Sequence, residues 1–218
     1  MFDDPLVKRV LGLKRLPDVA TISRALSSAD EESVRRLHRL LRELVLVRLT
    51  ALCLGSVTLD FDGSVIGTAR HAEGTAVGFN RKKKGQRSYY PLFCTVAQTG
   101  QVLDVLHRSG NVHDSQGAKA FIRECIGMVK AAVPGVRVEV RMDSAFFSED
   151  IISMLNKDGV EYTVSVPFER LAALKARIEA RHHWYSFSDA CSYFELHWKP
   201  KSWKHRSRFL VIRTEAAK

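Results

Sequence analysis

The stretch at residues 57–65, VTLDFDGSV, constrains the fold more than any other part of this chain. Apolar and polar side chains alternate along it, with the period of two that is typical of a half-buried β-strand. The strand therefore carries Asp60 and Asp62 on its polar side, and Asp62 lies at its end. Two turn residues interrupt the run, and residues 65–69 are predicted to form a returning strand.

A second apolar strand, at residues 136–142, ends in Asp143 and Ser144. Two strands that each end in a carboxylate indicate a metal site on a sheet, because hard oxygen ligands suit Mg²⁺. The alternative is that both aspartates are turn or cap residues, which the pairs Asp-Gly and Asp-Ser also favour. The spacing alone leaves both interpretations open.

The composition favours a soluble, basic protein with a substantial core. The chain has 218 residues, of which 45% are hydrophobic, a net charge of +10 and a pI near 9.7. This charge is typical of proteins that meet nucleic acid, although a generic basic protein shares it. Four scattered cysteines without a Cys-x-x-Cys pair predict buried, reduced thiols. The absence of a secretory signal and of an apolar run of roughly 20 residues predicts a cytoplasmic protein without a membrane partner.

Residues 1–52 predict an N-terminal helical segment. A short helix is expected over residues 19–26, followed by a longer one that Ser27, Ser28 or Asp30 caps. The longer helix has an apolar stripe of Val34, Leu37, Leu41, Leu44 and Val45 and an opposite face of Arg35, Arg36, Arg39 and Arg42. Such a pair could be a DNA-binding helical unit or could simply pack beside the sheet, and the sequence leaves both open.

Two basic segments are candidates for contact with the phosphate backbone of DNA. Residues 81–87, RKKKGQR, carry five positive charges and no negative one, and residues 199–208 repeat this pattern around a tryptophan. A run of lysines at a loop tip can also be merely solvated. The predicted DNA-binding residues are Arg81, Lys82, Lys83, Lys84, Arg87, Lys199, Lys201, Lys204, Arg206 and Arg208.

The order of predicted elements is that of an α/β, ribonuclease-H-like mixed sheet with flanking helices. Extended segments at 88–97 and 102–106 precede a helix that starts at Asp114 or Ser115 and runs to about 132. The strand to Asp143, a helix over 148–157 and a strand over 162–166 then imply right-handed crossovers between parallel strands. His113 is either a metal ligand or a structural histidine beside the helix start. A helix over 169–181 and a hairpin of residues 193–198 and 209–213 follow.

Four motifs, in this order, resemble the DDE transposases of bacterial insertion sequences, the cut-and-paste type called DDE transposase group 1. They are residues 59–64 (LDFDGS), residues 78–80 with 84–92 (GFN and KGQRSYYPL), residues 108–111 (RSGN) and residues 141–144 (RMDS). The resemblance extends over about residues 17–213. It implies metal-dependent cleavage and transfer of DNA strands at insertion-sequence ends.

The resemblance also implies roles for the acidic residues. Asp62 would be the first catalytic and metal-binding acid. In the family this Asp is closely followed by a Thr or Ser, and Ser64, two residues after Asp62, fills that role. Asp143 would be the second acid. Together they would hold Mg²⁺ or Mn²⁺, with two ions in a complete enzyme. Asp60 competes with Asp62 on the same strand face.

The third acid of the family, a Glu on a helix after a β-rich insertion, has no counterpart in the sequence. Glu179 precedes the basic hairpin, and Glu195 and Glu215 lie in or beside strands. The expected domains are a helical segment at 1–52, a ribonuclease-H-like core at 53–182 and the start of the insertion at 183–218. The chain is thus expected to be a truncated, degenerate or split transposase.

The resemblance implies double-stranded DNA, at transposon ends and target, as the partner. It also implies a homodimer when complete and a bacterial, nucleoid-associated location. Two alternatives stay open. One is a nuclease or resolvase of the same fold, and the other is a non-catalytic DNA-binding remnant.

Overall fold

The N-terminal part of the chain consists of three helices: α1 (Pro5–Val10), α2 (Val19–Ser27) and α3 (Glu31–Leu52). The computed structural model describes residues 4–10, 12–68, 71–78, 80, 83–113 and 116–214. The predicted DNA contacts Arg81 and Lys82, the helix starts Asp114 and Ser115, and Glu215 lie outside this range. The chain divides into two compact units, Met1–Val45 and Leu46–Lys218.

Side-chain caps start the two longer helices of the first unit. Asp18 accepts a hydrogen bond from the backbone N of Thr21 at 2.7 Å, and Asp30 accepts one from that of Ser33 at 2.8 Å. Of the predicted caps, Asp30 therefore begins α3, whereas Ser28 ends α2. The predicted apolar stripe differs from expectation, because Val34, Leu37 and Leu44 are exposed and only Val45 is buried.

A five-stranded mixed sheet organises the second unit and confirms the predicted ribonuclease-H-like fold class. Its strands are β1 (Ser56–Gly63), β5 (Leu92–Val96), β6 (Gln101–Leu106), β7 (Arg137–Met142) and β8 (Glu161–Val164). Their order in the sheet is β6-β5-β1-β7-β8, in which β7 is parallel to β1 and to β8, and the other pairs are antiparallel. The helices between the later strands are α4 (Ala118–Ala132) and α5 (Glu149–Lys157), which Ser148 caps as predicted.

The apolar side of β1 is buried in the main core. Phe61, on this side, meets Phe121 of α4 edge to face, with ring centroids 5.9 Å apart. Cys94 and Cys125 lie in the same core, and burial raises the pKa of the Cys94 thiol. The prediction of four buried thiols is wrong for Cys53, which is exposed.

A second, small sheet joins the first two strands of the main sheet. Its strands are β2 (Ile66–Gly67), β3 (Ala76–Val77) and β4 (Arg87–Tyr89), in the order β2-β4-β3. The returning strand after residue 63 therefore pairs with β4. The expected single strand over 88–97 is split, since Pro91 has no N–H for a ladder hydrogen bond.

A three-stranded sheet follows the core. A 3₁₀ turn at Phe168–Arg170 and α6 (Ala172–Glu179) replace the single helix expected there. The predicted hairpin is present as β10 (Cys191–Trp198) and β11 (Ser207–Thr214), and β9 (Tyr185–Ser188), which was not predicted, pairs with β10. Leu174, Trp198 and Phe209 form a separate buried cluster that joins α6 to the hairpin.

Candidate active site

Asp62 and Asp143 lie at the ends of two neighbouring strands, β1 and β7. The two strands are parallel, and Phe61 is the register partner of Met142. One residue further along each chain, Asp62 lies near the end of β1 and Asp143 directly follows β7. Both side chains are exposed. This register is what the predicted carboxylate pair requires, and the role of the two residues as metal ligands stays a prediction.

Asp60 is held by Arg141, its register partner on β7. The guanidinium donates from Nε to Oδ1 at 2.6 Å and from Nη2 to Oδ2 at 2.8 Å, so both carboxylate oxygens are engaged. These hydrogen bonds raise the pKa of Arg141. Because side chains alternate along a strand, Asp62 and Asp143 share the sheet face of this ion pair. Asp60 is thus engaged in an ion pair with Arg141, and which of the two aspartates binds a cation stays a prediction.

Local contacts hold the two strand ends in place. Asp143 caps the 3₁₀ turn at Ser144–Phe146, where its Oδ1 accepts from the backbone N of Ala145 at 2.9 Å. The cap interpretation and the metal interpretation are therefore compatible for this residue. The ring of Tyr90 packs against Gly63, where an added Cβ would lie 2.8 Å from the phenol oxygen. The backbone N of Ser64 donates to the carbonyl of Pro91 at 3.0 Å.

A polar row that the sequence analysis missed lies behind these aspartates. Glu139 accepts hydrogen bonds from Thr58 Oγ1 and Thr163 Oγ1, each at 3.2 Å, and so links β1, β7 and β8. The side chain of Gln98 bonds Thr58 in turn, at its backbone N and its hydroxyl. The signal in the sequence was the alternation of charged and apolar residues in RVEVRM, which marks a sheet with one polar face.

The described residues do not provide a third acidic ligand for a metal ion. Among the described residues, no group of three or more His, Cys, Asp or Glu side chains could hold a metal ion. Glu179 lines a cleft of about 1040 Å³ between β8 and β11. Glu195 pairs with Arg208 at 3.1 Å across the hairpin. The backbone carbonyl of His113 accepts from Arg108 Nη1 at 3.4 Å, a contact that does not involve the imidazole, so both interpretations of this histidine stay open.

The first basic loop is braced by its own motif residues. Asn80 is 8% exposed, accepts from the backbone N of Lys83 at 3.0 Å and donates to Gln86 Oε1 at 3.3 Å. Arg87 turns inward, where its guanidinium donates to the hydroxyl and the carbonyl of Thr75. Lys83 and Lys84 are exposed at the tip. The hydrogen bonds of Asn80 and Arg87 therefore support the loop, while the ammonium groups of Lys83 and Lys84 are exposed at its tip.

Two glycines of the motifs make a close backbone contact. A Cβ at Gly78 would lie 2.1 Å from the carbonyl oxygen of Gly110, and one at Gly110 would lie 2.5 Å from that of Ser88. Next to them, Arg108 is buried and donates from Nε to the carbonyl of Tyr90 at 3.0 Å. These motif residues thus build the small sheet beside Asp62. Sequence reasoning could not assign that role to them.

The second basic segment is anchored next to Asp143. Trp203, in the connection between β10 and β11, stacks on Phe147 with ring centroids 4.7 Å apart. Glu149, at the start of α5, accepts a hydrogen bond from the backbone N of Lys204. Lys199 Nζ donates to the carbonyl of Trp203 at 2.5 Å and so closes the loop on itself. Lys201, Lys204 and Arg206 are exposed there.

The family described as "Transposase DDE domain group 1" matches residues 1–218. Among solved structures, a piggyBac transposase synaptic complex with hairpin DNA is similar at 15% identity and a TM-score of 0.43, covering 87% of this chain and 41% of that chain. A Mos1 transposase paired-end complex with left transposon end is similar at 12% identity and a TM-score of 0.38, covering 84% of this chain and 58% of that chain. The chain thus spans about half the length of these two proteins. No curated protein matches it.

Proposed function

Because this chain belongs to the transposase DDE domain group 1 family, we propose that it supplies two acidic ligands of a metal-dependent site for DNA strand cleavage and transfer. The observation that supports the proposal is the register of β1 and β7, in which Phe61 pairs with Met142, the residues that directly precede Asp62 and Asp143. Membership of this family implies use of a divalent metal. We propose that the metal is Mg²⁺ or Mn²⁺ and that a complete site takes two ions.

The donor set fits such a cation, because carboxylate oxygens are the ligands that Mg²⁺ and Mn²⁺ prefer. When bound, the metal stabilises charge on the phosphoryl oxygens and lowers the pKa of the attacking water. Asp62 and Asp143 would hold it at the strand ends. Arg141 neutralises Asp60 next to them and so limits the repulsion that a third carboxylate would add.

Exposed cations of the two basic segments would hold the phosphate backbone of double-stranded DNA. Lys83 and Lys84 project from the braced loop, and the hairpin connection is fixed beside the turn that follows Asp143.

None of the helices in the described residues has the length and the apolar character that a membrane span requires. We also propose a homodimer on paired DNA ends, and a nucleoid location in a bacterial cell.

Titration with Mn²⁺, followed by the EPR signal of the free ion, tests the proposed ligands directly. We expect wild type to bind Mn²⁺ and Asp62→Asn or Asp143→Asn to abolish binding, since each removes one charged ligand. Asn retains the capping oxygen at position 143, so the fold should survive. Asp150→Asn, an exposed acid in the first turn of α5, is the matched control and should bind as wild type does. Wild-type affinity in Asp62→Asn would refute the assignment.

A DNA-binding protein without cleavage is the second candidate, favoured by the absence of a third acidic ligand among the described residues. Incubation of the protein with a supercoiled plasmid distinguishes the two candidate functions. Mn²⁺-dependent nicking by wild type, lost in Asp62→Asn, supports the first. Salt-sensitive plasmid binding without nicking supports the second.

A further inference from the structure

The outer face of the three-stranded sheet carries exposed aromatic and aliphatic side chains. Tyr193 of β10 lies between Tyr185 of β9 and Ile212 of β11 in one cross-strand row, and Leu210 follows in the next row. Tyr185 is 63% exposed, Ile212 58% and Leu210 51%. We call these four residues the aromatic face. On the opposite side, Trp198 of β10 and Phe209 of β11 are buried against Leu174 of α6.

The two tyrosine rings form one platform. Their centroids are 5.7 Å apart and their planes are inclined by 38°, so both rings present surface to the same side of the sheet. Aromatic rings on an open sheet face are a common platform for unpaired bases, which stack on them whatever their sequence. The bases of a duplex are already stacked on each other and cannot use such a platform.

Positive charge continues from this platform along the hairpin. The row after Leu210 pairs His197 with Arg208, and the connection beyond it carries Lys199, Lys201, Lys204 and Arg206 with no acid. Among the described residues of the three strands, the acid on this face is Glu195, which is paired with Arg208. A strand at about 3.3 Å per residue puts the connection roughly 20 Å from Tyr193. A polyanion with exposed bases therefore complements the whole surface.

We propose that the aromatic face binds unpaired bases of single-stranded DNA, while the hairpin connection holds the adjoining phosphates. The inference deepens the proposed function, on which it rests for the presence of DNA. It assigns the three-stranded sheet to a DNA form different from the duplex held at the carboxylate edge.

Fluorescence anisotropy with the full chain tests this proposal. The probes are a labelled oligothymidine strand and an abasic strand of equal length, which has the same charge and no bases. We expect wild type to bind the thymidine strand about tenfold or more tightly than the abasic strand, as one stacked base suffices for this ratio. Tyr185→Ala with Tyr193→Ala should remove the preference. Tyr185→Phe with Tyr193→Phe keeps both rings and should retain it.

Equal affinity of wild type for the two strands, or an unchanged preference in the double alanine variant, would overturn the proposal. A change in sedimentation of the free double alanine variant, with unaltered strand binding, would also overturn it, because the face would then be a contact with a second copy. Retained Mn²⁺ titration and duplex binding would show that this inference alone has failed.

Discussion

The guanidinium of Arg141 binds the carboxylate of Asp60 through two hydrogen bonds, of 2.6 and 2.8 Å, across parallel strands β1 and β7. Asp62 and Asp143 come two residues later on the same strands and the same face. The ion pair therefore lies directly behind the candidate metal ligands. Its side chains are half exposed, so its direct contribution to stability is small. Its larger effect is on the charge of the site.

The two members of this pair should act in opposite directions on metal affinity. Arg141→Gln leaves Asp60 as a third carboxylate next to the site, so we expect Mn²⁺ to bind more tightly. Asp60→Asn leaves the guanidinium beside Asp62 and Asp143, where its charge opposes the cation, so we expect weaker binding. The EPR titration measures both.

Arg123→Gln provides the control, because it breaks a similar exposed pair, with Asp158, outside the site. It should leave Mn²⁺ affinity unchanged. A shift in the same direction for Arg141→Gln and Asp60→Asn would contradict the electrostatic role.

Gly78 should tolerate no side chain. A Cβ there would lie 2.1 Å from a backbone oxygen of Gly110, so Gly78→Ala should lower the free energy of unfolding by about 3 kcal/mol or more. Gly127, in the interior of α4, has nothing within 4 Å of an added Cβ. Gly127→Ala should stabilise the chain by about 0.5–1 kcal/mol through helix propensity. Urea denaturation measures both, and similar values for the two variants would disprove the close contact.

Trp203 should hold the hairpin connection against the turn after Asp143. Trp203→Ala removes the stacking on Phe147, and we expect a loss of about 1–2 kcal/mol in unfolding free energy. Trp203→Phe retains an aromatic ring and should therefore lose less unfolding free energy than Trp203→Ala. Hydrogen exchange at residues 144–149 provides the specific readout, since release of the connection should accelerate it. Unchanged exchange in Trp203→Ala would mean that the turn does not depend on this contact.

Binding of duplex DNA should depend on salt through named lysines. Each phosphate contact contributes about 0.9 to the slope of log affinity against log salt, so Lys83→Ala with Lys84→Ala should reduce that slope by about 2. Lys130→Ala with Lys157→Ala removes the same charge from the last turns of α4 and α5. These turns lead into the first residues of β7 and β8, at the sheet edge opposite to the one where β1 and β7 end. That control should leave the slope unchanged. A reduction of equal size in both variants would indicate a diffuse charge effect.

The elements of the sheet could be predicted from the sequence because each has a local signal. Residues 57–61 alternate with a period of two, and Ser148 precedes an amphipathic helix. Strand β9 was missed because its four residues, YSFS, are all exposed and give no hydrophobic pattern. The strand expected over residues 88–97 contains Pro91, and a proline inside a strand breaks the ladder of hydrogen bonds.

The partners of the site residues could not be predicted, because they depend on register between distant strands. No residue near Asp60 in the sequence indicates that Arg141 is its partner. If the register between β1 and β7 shifted by one residue, the side chain of Arg141 would lie on the opposite face of the sheet from Asp60. The inward turn of Arg87 toward Thr75 is equally non-local. Composition correctly marked the loop as basic, but only the fold separates the side chains that brace it from those that project.

The bonds that link β1 to β7 join residues 81 positions apart, as in the pair of Asp60 and Arg141. Closing a loop of that length costs roughly 4 kcal/mol of chain entropy before any contact forms. We therefore expect the two carboxylates to meet only once much of the sheet has assembled. A cation that needs both of them has little to bind in the transition state. It would slow unfolding and leave the folding rate almost unchanged.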